Sequence, residues 1–489
     1  MSDYGPSPSA MKRLAIPRPM DESGIQAWSK SVETNVGRRL IVALDGTMNQ
    51  FGSKNSNVIE IYARIQKDEH QLTYYNSGIG TYADPYHSSP WKRLKLKLSS
   101  LLDMAFALNF DKIILAAYRW LSENYRPGDQ LFFFGFSRGA YQVRVLAGMI
   151  ARVGLIHSGN EEQIPFAFEL YEQGDDAMAE RFKVTFSHRD VQVHFMGLWD
   201  TVSSVGVFRR KKDLPGTPDC KDVHYVRHAL ALDERRVKFS PEFITPTVAA
   251  SHSDSADPAG TERLPDIEKD GQSNRPIRVK EVWFAGCHSD VGGGNKPNDK
   301  LLMDAIPALW MANEARTAGL DLLPTKVEWD LEKLKAEKPT ESLTRPWWIL
   351  ELMPFLSRSE DCPDLEQLDK LPWLYSRFTH FLHKMAPHLG GHRFIYPHQK
   401  IHASVVLKTE YAPRAQFMPG GVRPHTWDTI LREETIADMY MSHHKDIIEF
   451  DLYDTSSAGP LVKTITQGAA ELELQSVLDR LLVLADFRV

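Results

Sequence analysis

Cysteine is scarce in this chain of 489 residues, which has only Cys220, Cys287 and Cys362. So few thiols at such wide spacings exclude a disulfide-stapled fold and a cysteine-based zinc site. No run of about 18 apolar residues is present, and the amino-terminal residues lack the apolar core of a signal peptide. These absences predict a cytoplasmic protein without an integral membrane segment.

A strong excess of charge is also missing. The 58 basic and 64 acidic side chains give a formal net charge of -6. This balance excludes a uniformly basic surface, so no nucleic-acid partner is predicted. The histidines at His388, His392, His398 and His402 have spacings that match no established ligand motif. We therefore predict no metal and no cofactor.

The most informative segment that is present is LFFFGFSRGAY, residues 131–141. An apolar strand leads directly into Gly-x-Ser-x-Gly, and a helix-forming run follows. Gly135 and Gly139 remove the Cβ atoms that would clash in so tight a turn. The turn lifts the Ser137 hydroxyl above the edge of a sheet and points the next helix N-terminus at it. This order predicts a serine nucleophile.

Strands and helices alternate along the chain. Apolar runs predict further strands at residues 38–44, 71–75, 191–198 and 279–285. Helical patterns follow the first of these and cover residues 94–121, where a break is expected near 109–111. Such alternation predicts an α/β fold of the α/β-hydrolase-like kind: a mostly parallel sheet with helices on both faces and helical insertions.

The predicted domain organisation has three parts. Residues 1–36 are polar and predict a disordered leader. Residues 37–455 are predicted to form a single α/β-hydrolase-like domain with two inserts. One insert is a loop at 251–275, and the other is an aromatic-rich, helical, lid-like segment at 344–392, for which plain core helices are the alternative. Residues 456–489 predict a carboxy-terminal helical segment.

Three polar side chains follow predicted strands in the order that serine hydrolysis requires. A serine hydroxyl needs a histidine to take its proton, and the histidine needs a carboxylate to fix its tautomer. Ser137, Asp200 and His288 occur in the α/β-hydrolase chain order of Ser, then acid, then His. Functional groups of parallel sheets collect beyond the carboxyl ends of the strands, so we expect these three to meet.

The oxyanion of such a reaction needs two backbone N–H donors. One is expected from Arg138, the residue after the nucleophile. The second is expected from the loop after the first strand, at Gly46 or Thr47, without a choice between them. Asp290 and Asp45 also follow strands, so both remain alternatives for the catalytic acid.

Several blocks of this sequence together carry a family resemblance. They are LIVALDGTMNQ, YRPGDQLFFFGFSRGAY, GLWDTVSSVG, VRHALALDERRVKF, VWFAGCHSDVGGG and IHASVV. In this order they resemble the type VI secretion phospholipase-effector-like catalytic domain, a branch of the α/β-hydrolases, and PWWILELMP and HRFIYP resemble its fungal-type members. The resemblance implies Ser137 as nucleophile, Asp200 as acid and His288 as base.

The sequence therefore predicts a carboxylic-ester hydrolase that forms an acyl-enzyme on Ser137. The resemblance implies lipid or phospholipid acyl esters as substrates, and a peripheral contact with a membrane stays open. One alternative is a catalytically silent α/β-hydrolase scaffold with a binding role. Another is a metal-dependent phosphohydrolase built on Asp45, Asn49 and Asp290.

Overall fold

The structure is a computed structural model of the chain. The residues it describes are 37–46, 49, 51–78, 99–203, 214–244, 278–298, 303–323, 336–344, 347–348, 351, 390–396, 399–405, 408, 410–417, 427 and 449–451. The predicted leader at 1–36, the loop at 251–275 and the segment at 456–489 lie outside these residues. Most of the lid-like segment at 344–392 does so too.

Most of the strands belong to one sheet. In chain order the strands are β1 (Arg39–Leu44), β2 (Gln71–Asn76), β3 (Gln130–Phe136), β4 (Leu155–Ile156), β5 (Ser187–His188), β6 (Val193–Trp199), β7 (Val223–Ala231), β8 (Val279–Phe284), β9 (Phe394–Ile395), β10 (Lys400–His402), β11 (Gln416–Phe417) and β12 (Glu449–Asp451). Eight of them form a sheet in the order β12-β10-β8-β7-β6-β3-β1-β2. The pairs are parallel, except that β12 is antiparallel to β10.

α-Helices join several of the parallel strands, because a connection between parallel neighbours must cross over the sheet. In the described ranges they are α1 (Asn57–Arg64), α2 (Ser99–Asn124), α3 (Arg138–Val153), α4 (Ile164–Gln173), α5 (Asp176–Phe186), α6 (His288–Gly292) and α7 (Ala305–Thr317). Side-chain caps occur at three of them: Ser56 accepts from the Ile59 amide at α1, Asp175 from the Met178 amide at α5, and Asp290 from the Cys287 amide at α6. Among the described helices, none is both long and apolar enough to cross a bilayer.

Both faces of the sheet are covered. Side chains of β1 alternate between two apolar clusters, because successive residues of a strand point to opposite faces. Leu40, Val42 and Leu44 pack with residues of α2, α3, α4 and α5. Ile41 and Ala43 pack on the other side with residues of α1, α6 and α7. The prediction of a mostly parallel sheet with helices on both faces is confirmed.

Two details of the predicted elements are wrong. The strand β7 was not anticipated, because Arg227 and His228 interrupt its apolar pattern. Both are buried. Arg227 forms an ion pair with Glu314, and His228 forms a hydrogen bond with Glu281. The expected break near residues 109–111 is absent, since α2 is continuous there and Phe110 is buried against the ring of Tyr141. Tertiary packing thus overrides weak local propensity.

Helix α3 approaches β1 so closely that only glycine fits at residue 139. A Cβ atom there would lie 2.5 Å from the carbonyl oxygen of Asp45 and closer still to that of Leu44. We expect Gly139→Ala to lower the free energy of unfolding by about 1–3 kcal/mol, because backbone must move. Urea unfolding measures this. Gly128→Ala is the control: its site has nothing within 4 Å but a φ of 95°, so it reports conformational strain alone. A Gly139→Ala protein as stable as the wild type would contradict the described approach.

Candidate active site

Ser137 and Asp200 lie side by side at the carboxyl edge of the sheet. Phe136 of β3 pairs with Trp199 of β6, and each functional residue directly follows its strand. The Ser137 amide donates to the Trp199 carbonyl at 2.9 Å, and the Asp200 amide donates to the Ala229 carbonyl at 2.8 Å. The parallel register therefore brings together two residues that are far apart in the chain.

Ser137 occupies the sharp turn between β3 and α3. Its φ of 58° and ψ of -125° fall in a region that non-glycine residues rarely adopt. The turn is possible because Gly135 has no Cβ atom. A Cβ at this position would lie 2.6 Å from the Ala140 Cα atom and would clash with it. Ser137 is only 7% exposed. A strained, largely buried serine at the amino end of a helix is the backbone geometry of a nucleophile elbow.

His288 begins α6 and bonds directly to Asp200. Its Nδ1 atom lies 2.6 Å from the Asp200 Oδ2 atom. Because an ionised carboxylate can only accept, Nδ1 donates and Nε2 keeps its lone pair. The imidazole is held between the rings of Phe136, at 4.7 Å between centroids, and Phe239, at 4.8 Å. The imidazole thus packs against Phe136, the residue immediately before Ser137 in the chain.

The Asp200 carboxylate is fully buried, yet it has several charged and polar partners. Arg393 binds both of its oxygens, with Nη1 2.6 Å from Oδ1 and Nη2 2.9 Å from Oδ2. The Ala231 amide donates to Oδ1 at 3.0 Å. Burial alone would raise the pKa of Asp200, but the Arg393 cation and the bond from His288 hold that pKa below its ordinary value. Asp200 is therefore ionised.

His288 is surrounded so that its neutral form is favoured. Burial lowers the pKa of the imidazole below its ordinary value, although the bond to Asp200 opposes this. Glu234 accepts from the His288 amide at 3.2 Å and forms an ion pair with Arg236 at 2.8 Å. A neutral histidine with a free Nε2 lone pair can act as a general base.

The two alternative acids are bonded elsewhere. Asp290 accepts from the amides of Cys287, at 3.0 Å, and Thr340, at 2.8 Å, and so caps α6. Asp45 accepts hydrogen bonds from the Gly46 amide and from three side chains, which are those of Asn49, Ser56 and Tyr75. Both carboxylates are thus hydrogen-bonded to groups other than the His288 imidazole. In the described ranges, no group of three or more His, Cys, Asp or Glu side chains is placed to hold a metal ion.

The three predicted oxyanion donors have different surroundings. Arg138 is the first residue of α3 and directly follows Ser137. The Gly46 amide already donates to the Asp45 Oδ1 atom at 2.6 Å. Thr47 lies outside the described residues. Which backbone amides stabilise an oxyanion therefore stays a prediction.

Sequence reasoning missed several residues around the histidine. Arg393 and Phe239 carried no local signal, although they lie in the blocks HRFIYP and VRHALALDERRVKF. Trp347, from the segment predicted to be lid-like, packs edge-on against Phe239 at 5.6 Å, and the Arg236 guanidinium lies 5.1 Å from its ring. At least this part of the aromatic segment reaches the candidate site.

A mostly parallel sheet covered by helices, with a serine at a strand-to-helix turn, defines an α/β-hydrolase-like protein. A family model for the type VI secretion system phospholipase effector Tle1-like catalytic domain matches residues 38–314. The chain belongs to this family, which confirms the resemblance seen in the sequence blocks. Arg393 lies beyond the matched residues.

Individual relatives extend this comparison. The chain is 38% identical over 292 residues to the uncharacterized protein YEL023C of Saccharomyces cerevisiae, covering 54% of this chain and 42% of that protein. It therefore spans less than half of the relative's length. An uncharacterized protein from Pseudomonas aeruginosa is 19% identical with a TM-score of 0.33, covering 75% of this chain and 62% of the other. The Tle1 effector bound to the VgrG spike is 19% identical with a TM-score of 0.29, covering 53% and 52%.

Proposed function

We propose that this protein is a serine hydrolase that cleaves carboxylic esters of lipids. Ser137 is its nucleophile, His288 its general base and Asp200 its acid. The observation that carries this proposal is the 2.6 Å bond between His288 Nδ1 and the buried Asp200 carboxylate, at the sheet edge where the strained Ser137 turn lies. Family membership supports a lipid ester as the substrate class.

The reaction would run through an acyl-enzyme. His288 Nε2 takes the proton of the Ser137 hydroxyl as its oxygen attacks the ester carbonyl carbon. The Arg138 amide, and a second amide from Gly46 or Thr47, would stabilise the oxyanion that forms. The imidazolium then protonates the departing alcohol. Water attacks the acyl group in the same way, which releases the fatty acid and restores Ser137. Asp200 stabilises the imidazolium in both halves.

Aromatic side chains beside the histidine supply apolar surface for an acyl chain. Phe136 and Phe239 contact the His288 ring, and Trp347 packs on Phe239. We infer that this aromatic group borders the acyl pocket, because such pockets are mainly apolar with a few polar groups at the reacting end. A peripheral contact with lipid surfaces would follow from that substrate class.

A cytoplasmic location fits the chemistry of the cysteines. Cys220 and Cys287 are both buried free thiols in the described part of the chain. Free thiols are common in reducing compartments, whereas secreted proteins tend to pair theirs. We therefore retain the cytoplasm as the proposed location.

The experiment that tests this function combines a covalent probe with a substrate screen. A fluorophosphonate should label the wild-type protein, and turnover of p-nitrophenyl esters of graded chain length and of phosphatidylcholine vesicles should identify the acyl preference. An absence of both labelling and turnover would favour the silent scaffold. Turnover that is lost with a chelator, and that proceeds without labelling, would favour the metal-dependent alternative.

A further inference from the structure

We propose that Arg393 is a positioning residue of this active site, which holds the Asp200 carboxylate in the orientation that His288 meets. This inference rests on the proposed function. Arg393 comes from a part of the chain beyond residue 314, where the family match ends. The catalytic acid would thus depend on a residue that the matched domain does not supply.

Arg393 forms a bidentate salt bridge with Asp200 and further hydrogen bonds to two backbone carbonyls. Its two terminal nitrogens each bind one oxygen of Asp200, the bidentate geometry that guanidinium and carboxylate groups favour. The same nitrogens donate to the carbonyls of Ala231 at 2.9 Å and Phe239 at 2.6 Å. Arg393 is 7% exposed. It therefore joins the ends of β6 and β7 to the turn that carries Phe239, and fixes the carboxylate that His288 meets.

The charges that face the Asp200–His288 pair explain the expected effect. They are those of Arg393, Arg236 and Glu234, while burial raises the pKa of the neighbouring Cys287 thiol and keeps it neutral. Arg236 and Glu234 neutralise each other. Arg393 is the cation that offsets Asp200, so its removal leaves a buried pair with one uncompensated negative charge. Without Arg393, the pKa for adding one proton to the Asp200–His288 pair is therefore higher. This holds whether the proton binds to Asp200 or to His288.

Removal of Arg393 should shift the pH dependence of catalysis in one direction. The acid limb of the profile of kcat/KM against pH reports protonation of the free enzyme's base. We expect Arg393→Gln to move that limb to higher pH by about 1 unit or more, because a unit charge within a few ångströms has been lost from a buried site. Arg393→Lys keeps the charge but not the two-pronged geometry. Its limb should stay near the wild-type position, while its kcat falls.

Arg227→Gln is the matched control. Arg227 is also buried and paired with a carboxylate, that of Glu314, but it lies within β7 and also donates to the Val226 and Arg278 carbonyls. The same substitution there should lower thermal stability and leave the acid limb where it is. If Arg393→Gln also left the limb unmoved in a folded, Ser137-dependent enzyme, Arg393 would be structural only and the positioning role would be wrong.

A double-variant cycle tests whether Arg393 acts through Asp200. In an Asp200→Asn background, Arg393→Gln should cost much less of kcat/KM than in the wild type, because its target is gone. Full additivity of the two losses would overturn the proposal. Failure of the proposed function has a different signature, in which fluorophosphonate labelling or turnover does not depend on Ser137. Arg393→Lys keeps the cycle usable if Arg393→Gln does not fold.

Discussion

Replacing Ser137 with alanine is expected to lower turnover by about 10³-fold or more and to abolish fluorophosphonate labelling. The alanine protein lacks the oxygen that attacks the ester, so no acyl-enzyme can form. The substitution removes only one small polar atom from a side chain that is 7% exposed, so the fold should persist. Initial rates on the best ester of the screen, normalised to folded protein, measure the loss.

Ser122→Ala is a suitable control for that result. Ser122 is also a buried serine, but it lies in α2 and donates to the Ile156 carbonyl at 2.7 Å. Its replacement should cost about 1 kcal/mol of stability through the lost hydrogen bond and leave turnover per folded molecule intact. If the Ser137→Ala protein kept the wild-type rate, the serine mechanism would be wrong, and a metal-dependent reaction would be tested next with chelators.

The strands that matter most for the site were predictable because their signals are local. A buried strand of a parallel sheet reads as a continuous apolar run, and the runs before Ser137, Asp200 and His288 are of this kind. The parallel order of such strands then places their carboxyl ends at one edge. The sequence could therefore predict that these residues follow strands of one sheet, while their meeting as a catalytic set stays a prediction.

The surroundings of the histidine could not be predicted in the same way. Arg393 reaches Asp200 across a large separation in sequence, and an arginine in an ordinary polar context gives no hint of a buried partner. Phe239 lies in a short turn rather than in a strand, so no periodicity marks its contact with His288. β7 could not be predicted because its buried polar residues, Arg227 and His228, pair with Glu314 and Glu281 of other elements. Long-range pairing leaves no local pattern to detect.

Asp200→Asn is expected to lower turnover by about 10²–10⁴-fold, because a neutral amide neither fixes the His288 tautomer nor stabilises the imidazolium. The structure adds a cost that the sequence did not suggest. Arg393 would be left as a buried cation without its anion, and breaking such a pair typically costs about 3–5 kcal/mol of stability. Kinetics at a temperature well below the unfolding midpoint, together with urea denaturation, separate the two losses.

Asp290→Asn provides the comparison that decides which carboxylate is the acid. Asp290 caps α6 through the Cys287 amide and also accepts from the Thr340 amide, so its variant should lose about 1 kcal/mol of stability from the weakened cap. Turnover per folded molecule should stay near the wild-type value, because its carboxylate bonds to these amides and the imidazole bonds to Asp200. A variant at 290 that loses turnover, beside a variant at 200 that keeps it, would mean that the acid has been assigned to the wrong residue.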